Sequence, residues 1–142
     1  MRIFLISDSI NKIDKVFFYK CENLVHITIP DSVEFIDVCA FTGCTSLESV
    51  ILSERITEIS EATFMGCVNL KSVSIPKNVT KIGDSAFLGC KSLESLDIPD
   101  SVVEIDNRAF WECPNLKHIR MGRRTYERCG SSIPKKAEVQ LS

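Results

Sequence analysis

Apolar side chains recur along this chain with a period of 23 residues, almost from one end to the other. Phe18, Phe41, Phe64, Phe87 and Phe110 mark one register, and Cys21, Cys44, Cys67, Cys90 and Cys113 mark a second. Leu24, Leu47, Leu70, Leu93 and Leu116 form a third, and Ile13, Ile36, Ile59, Ile82 and Ile105 a fourth. A β-branched aliphatic precedes each of those isoleucines by three residues: Ile10, Val33, Ile56, Val79 and Val102. Five registers held through five copies constitute an internal repeat, and such a repeat decides the architecture before any local propensity does.

Within each copy the run from Leu24 through Ile27 and Ile29, repeated as far as Leu116, Ile119 and Met121, alternates as a short strand should. Ile27 and Ile29 then face one way while His26 and Thr28 face the other. Pro30, Pro76 and Pro99 end three of these strands, because proline has no N–H to give a ladder. The stretch from each Val or Ile to each Phe returns the chain along the far side. Segments such as 84–90 read there as a helical turn that drops Phe and Cys inward. One 23-residue coil cannot bury its own apolar edge, whereas stacked coils can, with successive strands pairing in parallel about 4.8 Å apart.

The two ends depart from the period. Met1, Phe4 and Ile6 sit 23 residues before Leu24, Ile27 and Ile29, which predicts a further strand over Arg2–Ile6 with no Phe and Cys coil beneath it. Either residues before Met1 are missing, or a partner or second copy covers that edge. At the other end, 122–142 abandons the repeat. The expected organisation is a solenoid over 1–121 and a C-terminal cap over 122–142, with Tyr126, Ile133 and Val139 covering the last coil and a strand near Ala137–Leu141.

Composition changes this picture little. The 142 residues are 44% hydrophobic and 25% charged, with a net charge of −2, which predicts no nucleic-acid partner. The charge is uneven: residues 1–114 carry 10 Lys+Arg and 17 Asp+Glu, residues 115–142 carry 7 and 2. No run of 18 apolar residues is present, so no membrane insertion is expected. The opening run Ile3–Ile6 is too short for a secretory signal before Ser7-Asp8-Ser9 interrupts it.

The run Asn78-Val79-Thr80-Lys81-Ile82-Gly83-Asp84-Ser85-Ala86-Phe87-Leu88-Gly89-Cys90, continuing through Leu93, Leu96, Ile98 and Pro99, resembles the BspA-type leucine-rich repeat. The resemblance covers about residues 7–121. The first copy departs from it with Phe17 in place of Ala and Lys20 in place of Gly, and Ser53 stands where Pro is usual. Proteins with this repeat are mostly bacterial and protist, many of them surface or secreted adhesins that bind host or matrix proteins. Repeat and resemblance together predict a right-handed α/β-type leucine-rich-repeat solenoid. It has one parallel sheet of about six short strands, with loops and short helical turns opposite.

Seven cysteines invite a metal or redox reading, yet no pair lies closer than Cys39 and Cys44, and zinc sites use tighter spacing. The inward register reads as reduced packing thiols, ahead of disulfides or metal ligands. A column of unpaired thiols fits a reducing, cytoplasmic setting, whereas the resemblance implies the cell surface. His26 and His118 lie four coils apart, about 19 Å at the strand spacing, too far to act together. No nucleophile–base–acid set, phosphate loop or cofactor motif is present. Neither catalysis nor a cofactor is expected.

That leaves recognition of a protein or glycan, on the strand face that points outward, because solenoids bind on extended concave faces. One column there runs Val25, Glu48, Lys71, Glu94, Lys117; the next His26, Ser49, Ser72, Ser95, His118; the third Thr28, Ile51, Ser74, Asp97, Arg120. Opposite charges alternate along the first. The binding residues expected on this face are His26, Glu48, Ser49, Ile51, Lys71, Ser72, Ser74, Glu94, Asp97, Lys117, His118 and Arg120. A rival surface is the stripe Tyr19, Thr42, Met65, Leu88, Trp111, read first as core, with Phe35 a further exposed aromatic. Self-assembly through the Arg2–Ile6 strand is the alternative to recognition.

Overall fold

The structure is a computed structural model that describes residues 3–142; Met1 and Arg2, part of the first expected strand, lie outside the described residues. Strands alternate between two sides of a continuous coil. They are β1 (Ile3–Leu5), β2 (Lys12–Ile13), β3 (His26–Thr28), β4 (Phe35–Ile36), β5 (Ser49–Ile51), β6 (Glu58–Ile59), β7 (Ser72–Ser74), β8 (Lys81–Ile82), β9 (Ser95–Ile98), β10 (Glu104–Ile105) and β11 (His118–Met121). Helix α1 (Arg123–Cys129), a 3-10 turn at Gly130–Ser132 and β12 (Glu138–Leu141) follow.

The longer strands form the expected parallel sheet. β1, β3, β5 and β7 are hydrogen-bonded in that order, as are β9, β11 and β12, with β7 lying beside β9. Residues 23 apart pair directly, as in Ile27 with Val50 and Val50 with Val73. The last strand keeps the direction but not the period: Ile119 pairs with Val139, 20 residues on. The row thus holds seven strands in two hydrogen-bonded groups, of four and of three, one strand being supplied by the non-repeating end.

The far side differs from a row of helical turns. Two-residue strands form a second set of parallel ladders there, β2 with β4 and β6 with β8 with β10. Between them and the sheet come turns closed by three-residue hydrogen bonds, such as Cys67 N–H to the Phe64 carbonyl at 3.1 Å. A helix would turn its amides back along its own axis. Here they point instead at the next coil: Phe41 and Gly43 donate to the carbonyls of Thr63 and Met65 at 2.9 and 2.8 Å. That flat course demands left-handed backbone, which Gly43, Gly66 and Gly89 supply at φ of 74°, 74° and 77°.

Stacking fills the interior with like upon like. The five phenylalanine rings lie nearly parallel, with successive centroids 5.0, 5.5, 5.5 and 5.6 Å apart. Phe41, Phe64 and Phe87 have no exposed surface at all. Each buried aromatic of this kind contributes about 1.5–3 kcal/mol from the apolar area it removes from water. The cysteine column adds a polar bond the sequence did not suggest. The thiols of Cys44, Cys67, Cys90 and Cys113 donate to the carbonyls of Phe18, Phe41, Phe64 and Phe87, in the preceding coil, at 3.0–3.2 Å. All seven cysteines are free.

At the C-terminal end, α1 buries Thr125 and Cys129 rather than Tyr126, whose ring is exposed. Ile133 is buried and Val139 half-buried against the last coil.

Burial pushes these thiols up from the ordinary value: Cys113 to about 11, Cys44 to about 12, with Cys67 and Cys90 also well raised. A thiol held protonated in the fold but ionised in the unfolded chain stabilises fully below pH 9, and that contribution drains away as pH rises toward the folded value. Each such thiol steepens the loss by up to about 1.4 kcal/mol per pH unit. Urea unfolding in a phosphine reductant from pH 8 to 11 checks this. The wild-type stability should fall more steeply than that of Cys67→Ala/Cys90→Ala, and superimposable slopes would contradict it.

Candidate binding face

Strand alternation sorts each sheet residue to one side. Ile27, Val50, Val73, Leu96 and Ile119 point into the core, so their neighbours in sequence point out. His26, Thr28, Ile51, Ser72, Ser74, Ser95, Asp97, His118 and Arg120 are exposed on that outer face, and Ser49 is half-exposed. The flanking column is exposed at Lys71, Glu94 and Lys117 and half-exposed at Val25 and Glu48. The sequence columns therefore stand side by side on one surface. β12 extends them, placing Glu138 beside His118 and Gln140 beside Arg120. At the other edge Leu5 pairs with Thr28. The sequence pattern missed Glu138 and Gln140 because they fall outside the 23-residue period.

The face is polar overall but graded. Near its first strands it carries Leu5 and Ile51, 85% and 60% exposed, the largest apolar surfaces on it. Near its last strands Asp97, His118, Arg120, Glu138, Gln140 and Ser95 line a recess of about 220 Å³. A second recess of about 260 Å³, bounded by Ser72, Ser74, Ser95 and Asp97, lies where β7 meets β9. Serines, with their short side chains, line most of the outward positions of the second recess.

Charge alternation along Glu48, Lys71, Glu94 and Lys117 yields one ion pair among the described residues, Lys71 to Glu48 at 3.5 Å. His26 Nδ1 and the Ser49 hydroxyl hydrogen-bond at 2.7 Å, and His118 approaches Glu138 at 4.0 Å. Arg120 and Asp97, paired across β11 and β9, form no ion pair among the described residues. Their heads remain available to a partner.

The rival stripe divides. Thr42 is buried and Met65 and Leu88 are half-buried, as a core reading expects, but Tyr19 and Trp111 at its ends are exposed. Interior coils are covered on both sides, while the end coils lose one neighbour. Phe35 is exposed with the Lys12 ammonium 5.6 Å from its ring centre. On the same side Arg108 binds Asp84 through two nitrogens at 2.9 and 2.6 Å, which holds the Asp84 carboxyl below its usual range. No group of three His, Cys, Asp or Glu side chains converges for a metal among the described residues. No described helix is long and apolar enough to cross a membrane.

A row of parallel strands backed by ladders of identical core residues defines a leucine-rich-repeat solenoid. The profile of the BspA-type leucine rich repeat region matches residues 3–132 in six copies, and the chain belongs to that family. A leucine rich cell surface protein from Faecalibacterium prausnitzii is 36% identical, with a TM-score of 0.89 over 94% of this chain and 36% of that one. The leucine rich repeat protein of T. pallidum is also 36% identical, with a TM-score of 0.75 over 77% of this chain and 51% of that one. The pneumococcal vaccine antigen PcpA, 16% identical with a TM-score of 0.80 over 100% of this chain and 42% of that one, shares the fold. The chain thus spans about a third to a half of the solved structures it matches. No curated protein matches the sequence.

If the outer face is not what holds the sheet together, removing the Lys71–Glu48 ion pair should matter little. Lys71→Ala is expected to change unfolding free energy by less than about 1 kcal/mol, as exposed pairs do. Chemical denaturation checks it; a loss several times larger would make the column structural.

Proposed function

We propose that the outer face of the sheet is a recognition surface for another protein and that the chain performs no chemistry of its own. One observation carries the reading: a row of exposed side chains, in register on seven strands, runs from apolar Leu5 and Ile51 to charged Asp97, Arg120 and Glu138. The backbone beneath is fixed by coil-to-coil hydrogen bonds, so little ordering cost falls on binding. Repeat solenoids use such extended faces for recognition, and the surface location printed for the F. prausnitzii relative accords with a binding role. Among the described residues the exposed positions of this face hold no Phe, Tyr or Trp on which a sugar ring would stack, which favours a protein over a glycan. Ile51 and Arg120 are the anchors expected to matter most, one an exposed branched aliphatic and the other an arginine without an ion-pair partner among the described residues.

Ile51→Asp and Arg120→Glu test the reading, with Lys77→Glu at the exposed rim as control. Against a partner captured by the wild-type chain, each face variant should bind at least about tenfold more weakly, equivalent to 1.4 kcal/mol, while Lys77→Glu binds normally. Undiminished binding by both face variants would remove the outer face from consideration.

A further inference from the structure

Along the turn column four successive coils each hand at least two backbone N–H groups to the next, and one pair of positions recurs in all four. Phe18 and Lys20 donate to Ala40 and Thr42, and Phe41 and Gly43 to Thr63 and Met65. Phe64 and Gly66 donate to Ala86 and Leu88, and Phe87 and Gly89 to Ala109 and Trp111, all eight bonds at 2.8–2.9 Å. In each case the two accepting carbonyls flank a phenylalanine, whose ring then stacks on the phenylalanine of the donor coil. On the last coil the same two donors, Phe110 N–H and Glu112 N–H, have no acceptor among the described residues.

Those two residues border a groove of about 480 Å³, whose other walls include Trp111, Cys113, Ile133 and Pro134. Where a sixth turn would run, the chain instead follows the 3-10 turn and 131–135. The Ser132 hydroxyl donates to the Ile105 carbonyl at 2.7 Å, tying this segment to the far-side ladder rather than to the 110–112 edge. Trp111 is 55% exposed, with the Arg108 guanidinium, itself anchored on Asp84, 5.8 Å from its ring centre.

We propose that this groove binds an extended peptide segment of a partner protein. The segment runs parallel to Phe110–Glu112, accepts from their amides through carbonyls two residues apart, and places a phenylalanine or similar large apolar side chain between them. Amide donors at i and i+2 are the register of strand addition, in which main-chain bonds supply affinity and the intervening side chain supplies selectivity. The four internal steps of the solenoid show what fits such an edge, down to the residue type. A second copy fits less well: the row of longer strands has seven members, in groups of four and three, where the turn column has five levels, so a copy seated on β12 holds its first turn away from Phe110. This surface is distinct from the outer sheet face and does not depend on it.

The probe is a synthetic peptide of residues 84–90 carrying Cys90→Ser, the segment whose Ala86 and Leu88 carbonyls already accept such bonds internally. Trp111 is the only tryptophan, so its emission reports this groove alone. Added peptide should shift that emission saturably and slow amide exchange at Phe110 and Glu112. Both effects should vanish for a peptide with Phe87→Asp, and for the chain variant Ser131→Tyr, which fills the groove from an exposed position and keeps its circular dichroism. No saturable response at millimolar peptide, a response that survives Ser131→Tyr, or protection at other amides overturns the proposal. So does protection of the same two amides that grows with protein concentration without peptide, which assigns the groove to a second copy.

Discussion

A single 23-residue coil has amide donors pointing along the stack on one edge and carbonyls on the other, and alone it can satisfy neither. Every other feature of the structure follows from the remedy, which is to lay one coil on the next. Unpaired backbone groups removed from water cost on the order of a lost hydrogen bond each, so the turn column bonds coil to coil rather than within itself. That choice rules out a helix on the far side. It also fixes the vertical spacing at which Phe meets Phe and each Cys thiol reaches the Phe carbonyl of the preceding coil. Apolar burial and backbone pairing are therefore one constraint here, because both are met by the same translation along the axis.

The same constraint separates structure from function. Side chains that point inward are committed to the ladder and tolerate little variety, which is why the Phe, Leu and Ile registers hardly change. Those that point out of the sheet are not packed into the ladder, so Thr28, Ile51, Ser74, Asp97 and Arg120 differ from one another in size and charge while occupying equivalent positions. A rigid support with freely varied outward residues suits recognition. The ends of the stack are where the remedy stops, and it is there, at Trp111 and the Phe110–Glu112 edge, that groups used internally are left open.

Most of the fold was legible in the sequence because a repeat multiplies weak signals: one Leu-x-x-Ile-x-Ile says little, five in register specify a parallel sheet. The outward columns followed from strand alternation alone. What escaped were features that depend on neighbours rather than on period. The far-side strands span two residues each, too short for any alternation to show. A turn such as Ser85-Ala86-Phe87 reads as a helical turn in sequence, which shows neither the left-handed backbone at Ser85 nor the next coil's carbonyls that hold it. The exposed state of Tyr126 and the pairing of β12 lie beyond the repeat, where no second copy exists for comparison. Glu138 and Gln140 joined the face for that reason unannounced.

Native-state amide exchange tests coil-on-coil pairing most directly. The account predicts that Phe41, Gly43, Phe64, Gly66, Phe87 and Gly89 exchange together, with the free energy of global unfolding measured by denaturant, because each bond opens only when the stack parts. Independent, fast exchange at any of these central amides while the sheet stays protected would show that the turns are not held by their neighbours, and would contradict it.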